Sequence, residues 1–162
     1  MPKKLKQLQS MNNKKFKITL GLIILLVSVI LFIPYGIYYL GLSNTQGYPK
    51  LPVNAITDDE RIKELWEKYK GIGSPELKKI SPWTYISMID KCSVDQKCFE
   101  YPGQQHARYV ASEHVLDTGK SKSSLMWHIS VASNTIWISN NWTIDQVLSK
   151  IDEIESQNTN AN

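Results

Sequence analysis

The chain has 162 residues, 42% hydrophobic and 21% charged, with a formal net charge of +4, a length that suits one domain. Six lysines (Lys3, Lys4, Lys6, Lys14, Lys15 and Lys17) and no acid fall within the first 17 residues, while the remainder holds 13 basic and 15 acidic side chains, a net −2. Nucleic-acid binding is left without its electrostatic support, because the positive charge is confined to the leading segment.

Next comes ITLGLIILLVSVILFIPYGIYYLGL, residues 18–42, 25 residues without a charge. As a helix it would be about 37 Å long, enough to cross a hydrocarbon core of about 30 Å with some tilt. It reads as a single transmembrane helix. A cleaved signal peptide is the alternative, but its apolar region would be shorter and end in small residues. Here Tyr35, Tyr38 and Tyr39 close the run as an interfacial aromatic belt. Pro34 and Gly36 are tolerated in a membrane helix. The lysines ahead of the span place the amino terminus in the cytoplasm, and the C-terminal domain in the periplasm or outside an inner (plasma) membrane. A start at Met11 would keep the same topology.

Residues 43–56, SNTQGYPKLPVNAI, read as a stalk without regular structure. Residues 57–155 read as a small helical outward domain. Thr57 to Glu60 forms a capping box before Ile62, Leu65, Trp66 and Tyr69, which predicts a helix over about 58–70 that stops at Gly71. Ser74-Pro75 and Ser81-Pro82 are two further helix starts. The second predicts a helix to about Lys91 that buries Trp83, Ile86 and Ile89. Cys92 and Cys98, in KCSVDQKC, suit a disulfide in an oxidising compartment better than a zinc site. After the Pro102-Gly103 turn, a helix over 104–116 turns Ala107, Val110, Ala111 and Val115 inward. Residues 125–139 fit either a hairpin or a helix stripe. Thr143 to Gln146 is a second capping box, opening a helix with Ile144, Val147, Leu148, Ile151 and Ile154 on one face. The polar tail 156–162 is expected to be disordered.

FEYPGQQHARYVASEHVL, residues 99–116, gathers the polar groups that chemistry would need. His106 and His114 lie eight apart, with Asp117 alone at ligand spacing from either, so no metal is called for. Asp117 and His114 read as a pair at the helix end. Of the acids only Glu100 and Glu113 flank the segment, as weak catalytic candidates. Ser112 and Ser130 lack a nucleophile elbow. No cofactor is implied.

The order of segments carries a resemblance. Gly103, Gln104, Gln105 and Arg108, followed by Trp142, Thr143, Asp145, Gln146, Val147 and Leu148, resemble the glutamine turn and the last helix start of the peptidoglycan glycosyltransferase (transglycosylase) domain of class A penicillin-binding proteins and monofunctional transglycosylases. The likeness covers about residues 98–155. It lacks the family's catalytic glutamate before the glutamine turn and the second glutamate expected near Val131, and the domain is shorter. The resemblance implies a mainly α, lysozyme-like outward domain without catalysis, related in frame only. It tips residues 125–139 toward helix. It also implies that Gln104, Gln105 and Arg108 bind lipid-linked peptidoglycan precursor or glycan strands. The alternatives are a structural or interaction protein that meets other envelope membrane proteins, with no glycan ligand, and an active glycosyltransferase using Glu100 and Glu113.

Overall fold

The computed structural model describes residues 3–95, 101–121 and 123–160, and of these the side chains of 16–88, 101–121 and 123–159. Among the described residues all regular structure is helical: α1 (Lys3–Ser43), α2 (Asp59–Lys68), α3 (Pro82–Asp95), α4 (Gln104–Thr118), α5 (Ser124–Asn141) and α6 (Ile144–Asn160). The chain divides into two units, Met1–Gly36 and Ile37–Asn162. Within α1, Phe16–Ser43 spans 28 residues and holds an 18-residue stretch of mean hydropathy 2.8, long and apolar enough to cross a membrane.

Helix α2 opens one residue later than the capping box suggested. Asp58 is the cap, its carboxylate accepting from the Glu60 amide at 3.0 Å, and an anion there also meets the positive end of the helix. Helix α2 closes with Lys70 in the left-handed region (φ 60°). The Lys70 amide reaches Glu67 O and that of Gly71 reaches Trp66 O, satisfying the carbonyls at the helix end. Ser74-Pro75 starts no helix. That segment is held extended instead: Gly73 O accepts from the Trp66 indole at 3.0 Å, and Lys78 N donates to Pro102 O. Ser81 does cap α3, its hydroxyl accepting from Thr84 N at 3.1 Å, with Pro82 as the first helical residue. The expected inward face of α3 is corrected. Trp83 and Ile86 are 40% and 48% exposed, and Tyr85 is the buried residue. The side chains of Ile89 and Cys92, and Cys98 and Glu100 altogether, lie outside the described residues, and the proposed disulfide with them.

Helix α4 packs on α5 and α6, α2 on α6, and α3 on α5. Ala107, Val110, Ala111 and Val115 are buried as the spacing predicted. They share one cluster with Leu65, Val131, Ile138, Trp142, Val147, Leu148 and Ile151. A second cluster holds Ile80, Tyr85, Tyr101 and Ile136, with Tyr38, Met88 and Ala132 packed against it. Residues 125–139 are helix. The small polar residues of α5 return their hydrogen bonds to its own backbone, Ser130 to Met126 O and Thr135 to Val131 O, both at 2.7 Å. These donors are therefore satisfied when buried.

The end of α1 and the segment after it are part of this packing. A Cβ at Gly41 would lie 2.6 Å from Ile129 O, so only glycine allows α1 and α5 to approach so closely. One turn on, buried Asn44 donates to Ser130 Oγ at 2.9 Å and accepts from Ser121 N at 3.0 Å. Residues 44–56 have no helix, but Tyr48 stacks on Trp137 at 4.7 Å, and Ile56 N donates to Ser149 Oγ. On the far side, Arg61 bonds Glu64, Asp152 and Glu155 and so ties α2 to α6. Glu155 also receives Lys68 Nζ and the Tyr69 hydroxyl. Helix α6 continues through Ser156 and Thr159, whose hydroxyls bond the carbonyls of Asp152 and Glu155.

Candidate functional site

The glutamine turn begins at Gly103, whose φ is 75°. A Cβ there would lie 2.5 Å from Glu76 O, so both the backbone conformation and the space demand glycine. Helix α4 then starts with no side-chain cap, and its 3.6-residue period separates the polar residues that the sequence placed together. Gln104 turns inward. It is 3% exposed, and its amide nitrogen donates to Lys78 O at 2.5 Å while its Oε1 has no hydrogen-bond partner. Gln105 and Arg108 turn outward.

Arg108 hydrogen-bonds the buried Tyr85; burial pushes the Tyr85 hydroxyl pKa up, and the guanidinium works against that shift. Lys78 Nζ stands 4.9 Å over the ring of Tyr101, a cation–π contact. Tyr85 and Tyr101 belong to the same buried cluster, with Tyr38 of α1 against it. Two cations from separate segments thus sit on one aromatic cluster that reaches the end of the apolar helix. Gln105 lies on the same α4 surface as Arg108, about 60° around the helix. Chemically this arrangement suits an anion with hydroxyl groups: guanidinium and ammonium for the charge, an amide for the hydroxyls.

His106 faces elsewhere. It is 1% exposed, stacked on Trp66 with ring centres 4.5 Å apart, beside Tyr69. Its Nε2 donates to Trp66 O at 3.1 Å, leaving Nδ1 without a partner. Burial holds its pKa below the ordinary value, against the pull of the Trp66 and Leu65 carbonyls, so the imidazole is neutral and structural. His114 Nε2 meets Gly47 O at 3.1 Å and the Thr118 hydroxyl at 3.3 Å. The expected pairing of His114 with Asp117 survives only as a charge nearby: burial lowers the His114 pKa, and Asp117 opposes it.

Glu113 is half-buried, and burial first, then Asp117, raises its pKa. It lies five residues from Arg108, about 140° around the helix, so it does not share the cationic surface. Among the described residues no three His, Cys, Asp or Glu side chains converge as a metal site. An open groove of about 370 Å³ lies between α2 and residues 71–75, lined by Trp66, Asp59, Lys63, Glu67 and Pro75 among others. None of the residues singled out in 99–116 lines it.

Sequence reasoning missed Lys78, Tyr85 and Tyr101 as site residues. Lys78 lies 26 residues before Gln104, and nothing local marks it. No family model, curated protein or solved structure matches the chain.

Proposed function

We propose that the protein is a single-pass inner-membrane protein, amino terminus in the cytoplasm, whose outward domain is a non-catalytic, lysozyme-like relative of the peptidoglycan glycosyltransferases. It binds a lipid-linked saccharide, with Arg108 and Lys78 taking the pyrophosphate and Gln105 the sugar hydroxyls. One observation carries this reading: both cations rest on a tyrosine cluster against which Tyr38, near the end of the apolar helix, is packed. A lipid-linked headgroup is presented at that level of the bilayer. Of the three donors named from sequence, Gln104 acts from behind, because its amide is committed to Lys78 O. Catalysis would need a base beside the bound sugar, and Glu113 turns away from Arg108.

The test is binding and polymerisation of lipid-linked peptidoglycan precursor by the full-length protein in detergent. Binding without polymer is expected. Arg108→Ala should weaken binding about tenfold or more, the loss of one charge-assisted contact, and lower the melting temperature by about 4–8 °C, because Tyr85 loses a hydrogen bond worth about 1 kcal/mol. Polymer formation would show a catalytic acid at work, and unchanged affinity in the variant would remove Arg108 from the site.

A further inference from the structure

Two amide side chains grip the extended segment that leads into α3. Gln104, the first residue of α4, donates to Lys78 O at 2.5 Å, and Asn140, the last but one of α5, donates through Nδ2 to Ile80 O at 2.7 Å. The same Nδ2 donates to Ile136 O, also at 2.7 Å. Both of its hydrogens are then in use. Turned the other way, the amide would set oxygen against oxygen at two carbonyls, so its orientation is fixed and Oδ1 is the polar atom left over. Asn140 is exposed, and among the described residues nothing donates to that oxygen.

Ile80 and Ile136, whose carbonyls hold Asn140, belong to the cluster of Tyr85 and Tyr101 on which Arg108 and Lys78 rest. Arg108 and Lys78 can only donate. Gln104 carries an unpartnered oxygen too, but that side chain is buried. Asn140 is therefore the fixed acceptor beside these cations that a ligand can reach. An ionised pyrophosphate, which only accepts, offers it nothing; a sugar hydroxyl or an acetamido N–H suits it. We propose that Asn140 Oδ1 is the specificity-determining acceptor of the site, taking a hydrogen bond from a hydroxyl or acetamido N–H of the ligand's sugar. This rests on the saccharide reading above. Because two backbone carbonyls hold the amide before the ligand arrives, the contact costs little ordering.

The experiment compares binding of three probes to the full-length protein in detergent: a polyprenyl pyrophosphate without sugar, one carrying glucose and one carrying N-acetylglucosamine. Asn140→Ala should leave the sugar-free probe unchanged and weaken a sugar-bearing probe about fivefold, the weight of one neutral hydrogen bond. Loss with both sugars assigns the contact to a hydroxyl, and loss with N-acetylglucosamine alone assigns it to the acetamido N–H. Equal weakening of all three probes makes Asn140 only a brace for Ile80 and overturns the inference, as does a variant that binds all three like the native protein. A second measurement needs no variant. The native protein should bind a sugar-bearing probe more tightly than the sugar-free one; equal affinity for all three overturns the inference while the pyrophosphate contacts stand. If none of the three binds, the saccharide reading fails and takes this one with it.

Discussion

His106 spends its chemistry on packing. Stacked on Trp66 and held to the Trp66 carbonyl, it is a rigid aromatic wall between α2 and α4, and its neutral form is the one that fits. The sign of the pH dependence follows. The folded-state pKa lies below the ordinary 6.5 because burial disfavours the cation, and His114 is shifted the same way for the same reason. Between the lowered value and 6.5 the unfolded chain binds more protons than the folded one, so stability rises with pH across that window and is lost as pH falls through it. The paired carboxylates Glu153 and Glu155 act lower, below their ordinary 4.5: burial opposes their ionisation but hydrogen bonds from Lys150 and Lys68 outweigh it. Denaturant titrations between pH 7 and 5 should therefore show falling stability in the full-length protein. His106→Phe should flatten that slope, and an unchanged slope would mean that the imidazole is not desolvated. Gln104 and Gln105 make the complementary point. Adjacent and identical in sequence, they divide into a buried strut and an exposed donor through helical phase alone.

At the scale of elements, the crossing of α1 and α5 at Gly41 and Ser133 explains why a segment with hairpin-like content is a helix. Ser130, Ser133 and Asn134 are all at most 2% exposed. Their small volume lets a neighbouring backbone come near, while Ser130 Oγ and Asn134 Nδ2 donate to carbonyls of α5 itself, one turn back. A strand would leave those groups seeking partners across a sheet. Gly41→Leu should force α1 off α5 and cost about 1–3 kcal/mol as an overpacked contact. Chemical denaturation would measure it, and an equally stable variant would mean that the two helices do not meet. Helix positions with strong periodicity were legible in sequence: the inward stripe of α4 and the apolar face of α6 needed only the spacing of alanine, valine, leucine and isoleucine. The inner face of α3 was not. Its helix start was read from Ser81-Pro82, but the choice of Tyr85 over Trp83 and Ile86 depends on Ile80, Tyr101, Ile136 and Tyr38 supplying the cavity, and those come from four separate segments.

At the scale of the molecule, the boundary between the two units falls inside α1, after Gly36, not at the start of α2. Residues 37–56 form part of the folded domain. They contribute the Asn44 bonds to Ser130 and Ser121, the Tyr48 stack on Trp137 and the Ile56 bond to Ser149. A fragment starting at Thr57 should melt more than about 10 °C below one starting at Ile37 in the same detergent, since these contacts together are worth several kcal/mol and each kcal/mol moves a domain of this size by roughly 4–8 °C. Equal melting temperatures would make residues 43–56 a loose tether after all.

The sequence by itself determined the apolar helix, the helical character of the capped and periodic segments, and the inward stripe of α4, because each depends on residues within a few turns of one another. Only the tertiary structure decided which polar and aromatic residues are brought together. Lys78, Tyr85, Tyr101 and Arg108 come from different segments, and their meeting is set by how the helices pack rather than by any local spacing. The same holds for the segment after α1, whose composition reads as a linker and which is held by contacts to residues far along the chain, among them Thr118, Ser121, Ser130, Trp137 and Ser149.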